Sequence, residues 1–252
     1  MARRPLFLAF AALPLLAGQP LPYQDGPVKL LGYLARPAKT AKAVPGIVIL
    51  HQWMGLTDHE RGVAEALAKL GYVALAADVY GEGARPKNTQ EAAVLAGWYK
   101  GDRASYQRRI RAALDTLKAQ PGVDAQRLAD IGFCFGGTGA LEAARAGMPV
   151  KGVVSFHGGL DPGADRPVAP ITAKILVCHG AEDPFVPPKE VAAFQEEMRK
   201  AKADYTFIAY AGAVHAFTQK EAGNDPSKGA AYQEAAARRS WRHMRDFFSE
   251  IF

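Results

Sequence analysis

The sequence lacks several features by which common classes of protein are identified. It contains no internal repeat, no change of composition that would mark a second domain, and no spacing of His, Asp and Glu that is typical of a zinc site. Its formal net charge of +6 is too small and too scattered to indicate a nucleic-acid partner. We therefore expect one domain, no metal or other cofactor, and a small-molecule rather than a nucleic-acid partner.

Long apolar runs are also absent, apart from one near the start of the chain. Arg3 and Arg4 precede the apolar run Leu6 to Ala17, and Gly18 and Pro20 end it. The run is shorter than the roughly 20 residues of a transmembrane helix, and it resembles the apolar region of a secretory signal peptide. This pattern predicts a signal peptide over residues 1–18, a mature domain over residues 19–252, and export to the periplasm or the medium. An uncleaved anchor is the alternative.

The densest basic cluster is also small. Arg108, Arg109 and Arg111 interrupt an apolar series of helical period, so we expect them to form the solvated face of that helix. A phosphate-binding or membrane-surface role is the alternative.

Cysteine is scarce, with two residues in the chain, and one of them occupies the most informative motif. Cys134 stands at the centre of Gly132-x-Cys134-x-Gly136, directly after a short apolar run and before small residues that open a helix. This is the pattern of a nucleophile elbow with cysteine in place of serine. The glycines are needed because strand and helix approach too closely for a Cβ atom. The pattern favours an exposed nucleophilic thiol, and a buried structural cysteine is the alternative.

Two candidate partners follow in the order that a nucleophile elbow requires. Asp183 lies in the loop after an apolar strand predicted from Lys174, and His215 lies in the loop after a strand predicted over Tyr205 to Tyr210. A histidine could take the proton of the thiol, and a carboxylate could fix the imidazole tautomer. Taken singly, His215 could cap a strand end and Asp183 could form a turn, but the order nucleophile, acid, histidine is typical of α/β hydrolases.

The rest of the chain alternates strands and helices. One helix begins at a capping box formed by Thr57 and Glu60, and an apolar stripe of Trp241, Met244, Phe248 and Ile251 predicts a final helix. Such alternation predicts a single-domain α/β-hydrolase fold, with a mainly parallel sheet, helices on both faces and catalytic loops at the carboxyl ends of the strands.

With these motifs in place, the sequence resembles the dienelactone hydrolase family, whose members are cysteine-nucleophile α/β hydrolases. The segments that carry the resemblance are His51 to Leu56, Gly71 to Gly81, Gly132 to Gly137, and the loops that hold Asp183 and His215. The resemblance implies that Cys134 is the nucleophile, His215 the base and Asp183 the orienting acid. It also implies an oxyanion hole formed by the backbone amides of Trp53 and Phe135.

The chain departs from this family pattern at the substrate-binding positions. Gln52 stands where studied members have a glutamate that helps control ionisation of the thiol, and an amide cannot act as a base. Gln219 stands where those members have an arginine that holds the substrate carboxylate, and no arginine occurs between Thr89 and Trp98. We therefore expect the fold and chemistry of the family, but not a dienelactone substrate.

The strand order of α/β hydrolases indicates whether the two cysteines can form a disulfide. It places one strand between the strand that leads to Cys134 and the strand that carries Cys178. The two sulfurs would then lie about 10 Å apart, beyond the reach of a disulfide. We expect a free functional thiol at Cys134 and a core residue at Cys178.

The pocket is predicted less directly. Gln52, Trp98, His157 and Phe185 are candidates for its wall, although Trp98 could equally be a packing residue and His157 a hydrogen-bonded residue at a strand end. The irregular stretch Tyr80 to Ser105 has the glycines of a mobile lid.

Together these observations predict an exported hydrolase that cleaves small carboxylic esters or lactones through an acyl-thioester intermediate. Two alternatives remain, a catalytically weak ligand-binding protein of the same fold and a thiol redox protein. The oligomeric state is left open.

Overall fold

The computed structural model describes residues 18–38, 42–163 and 169–252. The predicted signal peptide lies outside the described residues except for Gly18. The strands are β1 (Gln19–Asp25), β2 (Val28–Ala35), β3 (Val44–Leu50), β4 (Val73–Ala77), β5 (Val123–Phe133), β6 (Gly152–Phe156), β7 (Lys174–Gly180) and β8 (Tyr205–Tyr210). The helices are α1 (Asp58–Lys69), α2 (Thr89–Gly101), α3 (Arg103–Lys118), α4 (Phe135–Arg145), α5 (Pro188–Lys200) and α6 (Glu234–Ile251).

The described strands form one eight-stranded sheet in the order β1-β2-β4-β3-β5-β6-β7-β8. Strands β3 to β8 are parallel, and β2 runs antiparallel to both of its neighbours, β1 and β4. The prediction of a mainly parallel α/β-hydrolase sheet is therefore confirmed. Because parallel strands share one carboxyl edge, the loops after β3, β5, β7 and β8 open on the same side of the sheet.

The sheet carries an apolar core on each face, which explains its continuous apolar strands. Leu67 of α1 and Phe248 of α6 belong to the core on one face. Ile110 of α3, Leu141 of α4 and Phe194 of α5 belong to the core on the other face. Helices therefore cover both faces, and the loops at the carboxyl edge are left accessible.

The predicted solvated face of α3 is wrong for Arg109. This side chain is buried, donates from Nε to the carbonyl oxygen of Val79 at 3.2 Å, and forms an ion pair with Asp25. The pair forms because α3 packs against β1, which carries Asp25. Arg108 remains largely exposed, as predicted.

Both cysteines are free. Strand β6 separates β5, which leads to Cys134, from β7, which carries Cys178, so the predicted absence of a disulfide is confirmed. Across the described ranges, none of the helices combines the length and the hydropathy of a membrane-spanning segment.

Candidate active site

Cys134 lies at a strained turn between β5 and α4. Its φ of 55° and ψ of −114° lie outside the regions that residues with a Cβ normally occupy. The turn is tight because Gly132 and Gly136 have no side chain. A Cβ on Gly132 would lie 1.9 Å from the carbonyl oxygen of Gly136, and one on Gly136 would lie 2.1 Å from that of Leu50. This geometry lifts the half-buried thiol above the sheet at the N-terminus of α4.

Three side chains from separate loops meet at this turn. Nε2 of His215, in the loop after β8, lies 3.0 Å from Sγ of Cys134. Nδ1 of the same ring lies 2.8 Å from Oδ2 of Asp183, in the loop after β7. The amide of Phe185 donates to the other carboxylate oxygen of Asp183 at 2.9 Å, which holds this buried side chain in orientation. Thiol, imidazole and carboxylate therefore form one hydrogen-bonded chain.

The electrostatics of the site favour a thiolate and an imidazolium. Burial raises the pKa of the Cys134 thiol, but the charge of His215, its hydrogen bond, nearby Lys100 and the Phe135 amide outweigh burial and lower that pKa. Burial lowers the pKa of His215, but the charge of Cys134 and the hydrogen bond to Asp183 outweigh it and raise that pKa well above its ordinary value. Since the thiol pKa is lowered and the imidazole pKa is raised, both shifts favour the thiolate–imidazolium pair over the neutral thiol and imidazole.

This ion pair predicts an unusual pH dependence of alkylation. The rate at which iodoacetamide modifies Cys134 should rise less steeply between about pH 6 and pH 8 than that of an ordinary thiol, which follows its pKa near 8.5. The sign follows from the lowered thiol pKa: the thiolate persists as the pH falls, until Cys134 is protonated. The measurement is the second-order rate of Cys134 modification, read by peptide mass spectrometry.

Cys178 is the internal control, because burial raises its pKa to about 12 and its side chain is fully buried. It should stay unmodified in the folded protein. His215→Ala should return Cys134 to ordinary thiol behaviour. A wild-type rate that rose tenfold for each pH unit up to about 8.5 would contradict a permanent ion pair.

His157 lies beside this chain and supports the backbone of the elbow. The amide of Cys134 donates to Nδ1 of His157 at 3.2 Å, so the ring proton is on Nε2 and is directed at Oγ1 of Thr218, 2.8 Å away. Burial and the nearby charge of His215 lower the pKa of His157 and keep the ring neutral. His157 is buried and is not part of the cavity wall, so its prediction as a pocket residue is corrected.

The two amides predicted for the oxyanion hole belong to residues on different loops of the carboxyl edge. Phe135 is the first residue of α4, and a hydrogen bond from its amide helps to lower the pKa of the Cys134 thiol. Trp53 lies in the loop after β3, where Oη of Tyr80 donates to its carbonyl oxygen at 2.8 Å. Within the described residues the Trp53 amide has no hydrogen-bond acceptor, so it is available to a bound molecule.

A cavity of about 900 Å³ opens above the thiol. Its wall includes Cys134 and His215, together with Gln52, Trp53 and Phe185. Trp98 is not part of this wall, which corrects its prediction as a pocket residue. It is 53% exposed on the outer side of α2, where it contacts Tyr99 edge to face. The sequence alone could not show whether an apolar residue of this helix faces the cavity or the solvent, because that depends on how α2 packs against the rest of the protein.

The sequence reasoning missed several polar residues of the cavity wall, among them Lys100 and His59. Lys100 stands in the last turn of α2, where a basic residue is unremarkable, and it lies just beyond the stretch searched for an arginine. Nε2 of His59 is enclosed and has no hydrogen-bond partner within the described part of the chain. Gln219, the residue at the family's arginine position, also lines the cavity. Within residues 18–38, 42–163 and 169–252, no group of three or more His, Cys, Asp or Glu side chains is arranged to hold a metal ion.

Comparison with known proteins gives concordant results. A family model described as the dienelactone hydrolase family matches residues 30–252. A Bradyrhizobium protein described as "Probable 2-oxo-3-(5-oxofuran-2-ylidene)propanoate lactonase" is 32% identical over 222 residues, which cover 84% of this chain and 86% of that protein.

Solved structures agree with this match. One, described as a dienelactone hydrolase-like promiscuous phosphotriesterase from metagenomic libraries, is 40% identical with a TM-score of 0.88, and the match covers 93% of this chain and 98% of that one. A thermophilic esterase from Thermogutta terrifontis is 20% identical with a TM-score of 0.68 over 95% of each chain, and this likeness concerns the fold alone.

Proposed function

This chain is a hydrolase of the dienelactone hydrolase family, and from that membership we propose that it cleaves small carboxylic esters or lactones through Cys134, His215 and Asp183. The observation that carries the proposal is the hydrogen-bonded chain of the three side chains, with distances of 3.0 Å and 2.8 Å, at the floor of a cavity large enough for a small ester.

In the first half of the reaction the Cys134 thiolate attacks the carbonyl carbon of the substrate. A C–S bond forms and the carbonyl π electrons move to oxygen, which the amides of Trp53 and Phe135 stabilise. When the intermediate collapses, the C–O bond to the leaving group breaks and the alkoxide takes the proton of the His215 imidazolium. The products are an alcohol and an acyl thioester on Cys134.

In the second half, neutral His215 takes a proton from water as the oxygen attacks the thioester carbonyl. The C–S bond breaks, the acid leaves, and the thiolate–imidazolium pair is restored. Asp183 holds the imidazole tautomer and stabilises the imidazolium in both halves.

The chemistry of the thiolate narrows the substrate class. Thiolate is itself a good leaving group, so the first intermediate reverts unless the leaving oxygen is also activated. This favours enol esters, aryl esters and lactones over simple alkyl esters or amides. Trp53 and Phe185 contribute an apolar part of the wall, which suits an uncharged acyl group. Gln219 offers no cation for a substrate carboxylate, so Lys100 is the basic side chain of this wall.

The proposal is tested by following p-nitrophenyl acetate and butyrate with the protein from residue 19 onward. We expect a burst of p-nitrophenol of one equivalent per site, then steady turnover. Quenched samples should carry an acetyl group on the peptide of Cys134 and none on that of Cys178. An acyl group on another residue would contradict the proposal. It would also be contradicted if neither ester nor any member of a lactone panel were turned over.

Phosphotriester cleavage is a second candidate activity, favoured by the structure at 40% identity that is described as a promiscuous phosphotriesterase. The same thiolate would attack phosphorus and expel an aryloxide. Turnover of diethyl p-nitrophenyl phosphate would support this activity, and a single stoichiometric release would show that the diethylphosphoryl group on the Cys134 sulfur is not hydrolysed.

The thiol redox alternative is less favoured, because the only other cysteine in the described residues is buried beyond the neighbouring strand.

Export remains part of the proposal and rests on the pattern of residues 1–18. N-terminal sequencing of the protein from the periplasm or medium should give a chain that begins near residue 19, and a full-length cytoplasmic chain would contradict it.

A further inference from the structure

Gln52 occupies the position at which this chain departs from the family pattern, and its side chain has an unused donor group. It lies in the loop after β3, between His51 and Trp53, and it lines the cavity together with Cys134 and His215. The side chain is otherwise enclosed, since 8% of the residue is exposed.

The orientation of the Gln52 carboxamide follows from its one hydrogen bond. The amide of Met54 donates to Oε1 of Gln52 at 2.9 Å. A backbone N–H can only donate, so the oxygen must occupy this position and the NH₂ group must face the other way. Within the described residues this nitrogen has no acceptor, and it is not among the fully enclosed polar atoms. The NH₂ group therefore opens on the cavity.

The backbone of Gln52 is held at both of its polar groups. Its N–H donates to Oε1 of buried Glu60 at 3.3 Å, and the other oxygen of Glu60 accepts from the amide of Thr57 at 2.8 Å. Val79 donates to Nε2 of His51 at 3.1 Å, so the proton of His51 is on Nδ1, which donates to the carbonyl oxygen of Gln52 at 2.7 Å. The position of the carboxamide is thus fixed before a substrate binds.

We propose that Nε2 of Gln52 donates a hydrogen bond to the substrate carbonyl oxygen as it becomes an oxyanion, as a third donor beside the amides of Trp53 and Phe135. This inference rests on the proposed function. The donor acts when the C–S bond forms and the carbonyl electrons move to oxygen, and it gives up no proton. A glutamate at this position supplies such a donor only when it is protonated.

Gln52→Glu tests the donor directly. Either form of the glutamate can still accept from the Met54 amide, but its second oxygen is a donor only while the carboxyl is protonated. We expect kcat for p-nitrophenyl acetate to be about sixfold below wild type at pH 5, where about one sixth of an ordinary glutamate is protonated, and about 100-fold below by pH 8, the loss typical of removing one oxyanion donor. KM should change little, because the donor acts in the transition state.

Two measurements separate this role from structural or thiol effects. Gln52→Met has no donor at any pH, so its kcat should be about 100-fold low throughout. Alkylation by iodoacetamide needs the thiolate but creates no oxyanion, so dividing the ester rate by the alkylation rate removes any change in thiol ionisation.

The decisive quantity is the ester rate of Gln52→Glu divided by that of wild type, each first divided by its alkylation rate. If this quantity stays constant or rises with pH, the proposal is overturned. A Gln52→Met variant with wild-type kcat would also overturn it. If wild type itself gives no acyl enzyme on Cys134, the failure belongs to the proposed function and not to Gln52.

Discussion

Replacing Cys134 by alanine is expected to lower kcat/KM for p-nitrophenyl butyrate by about 10⁴-fold, or ~5.5 kcal/mol of transition-state stabilisation. The variant keeps the cavity and the amides of Trp53 and Phe135, but no nucleophile remains 3.0 Å from Nε2 of His215. The measurement is initial-rate kinetics on protein whose folding has been checked by circular dichroism.

The other cysteine provides a matched control for this prediction. Cys178→Ala removes a buried thiol whose contact is the hydroxyl of Tyr210 at 3.5 Å, so activity should stay within about twofold of wild type. His215→Ala should lose about as much activity as Cys134→Ala, and the double variant should lose no more than either, because the two groups act as a unit. Turnover that survived Cys134→Ala would mean that another residue is the nucleophile.

The Gly132→Ala variant is expected to give no folded protein. Its Cβ would lie 1.9 Å from the carbonyl oxygen and 2.1 Å from the carbonyl carbon of Gly136. Both atoms belong to the backbone of the elbow, so no side-chain rotation can relieve the overlap. Opening the turn would separate β5 from α4 and cost a large part of the roughly 5–15 kcal/mol that stabilises a typical domain. Soluble yield and urea unfolding measure the effect.

Gly97→Ala is the matched control, because a Cβ there has no atom within 4 Å and the residue lies inside α2. Alanine is the better helix former, so this variant should be more stable than wild type by up to about 1 kcal/mol. A Gly132→Ala protein that unfolded at nearly the wild-type urea concentration would show that strand and helix are not packed this closely.

Much of the site could be predicted because its signals are local. Cys134, Asp183 and His215 each follow an apolar strand directly, and parallel strands bring such loops to one edge. The capping box of Thr57 and Glu60 was also visible from spacing alone, and α1 begins there as predicted. Each of these features depends on residues that lie within a few positions of one another in the sequence.

Contacts between distant segments could not be predicted in the same way. Arg109 is buried because Asp25 lies opposite, 84 residues earlier in the chain. Glu60 reaches beyond its own capping box to the amide of Gln52. Asp130 in β5 is fully enclosed with no hydrogen-bond partner among the described residues, and burial raises the pKa of its carboxyl well above the usual range. An alternating strand pattern would have placed this charge at the surface.

The order of the strands has a consequence for how activity returns after denaturation. The imidazole of His215 meets a thiol 81 residues away, and the strands that lead to the two are separated in the sheet by β6 and β7. Contacts of such sequence separation form late and slowly, because long loops must close first. Ester turnover should therefore return only when this half of the sheet is complete. Its return should lag behind the return of the helical circular dichroism signal.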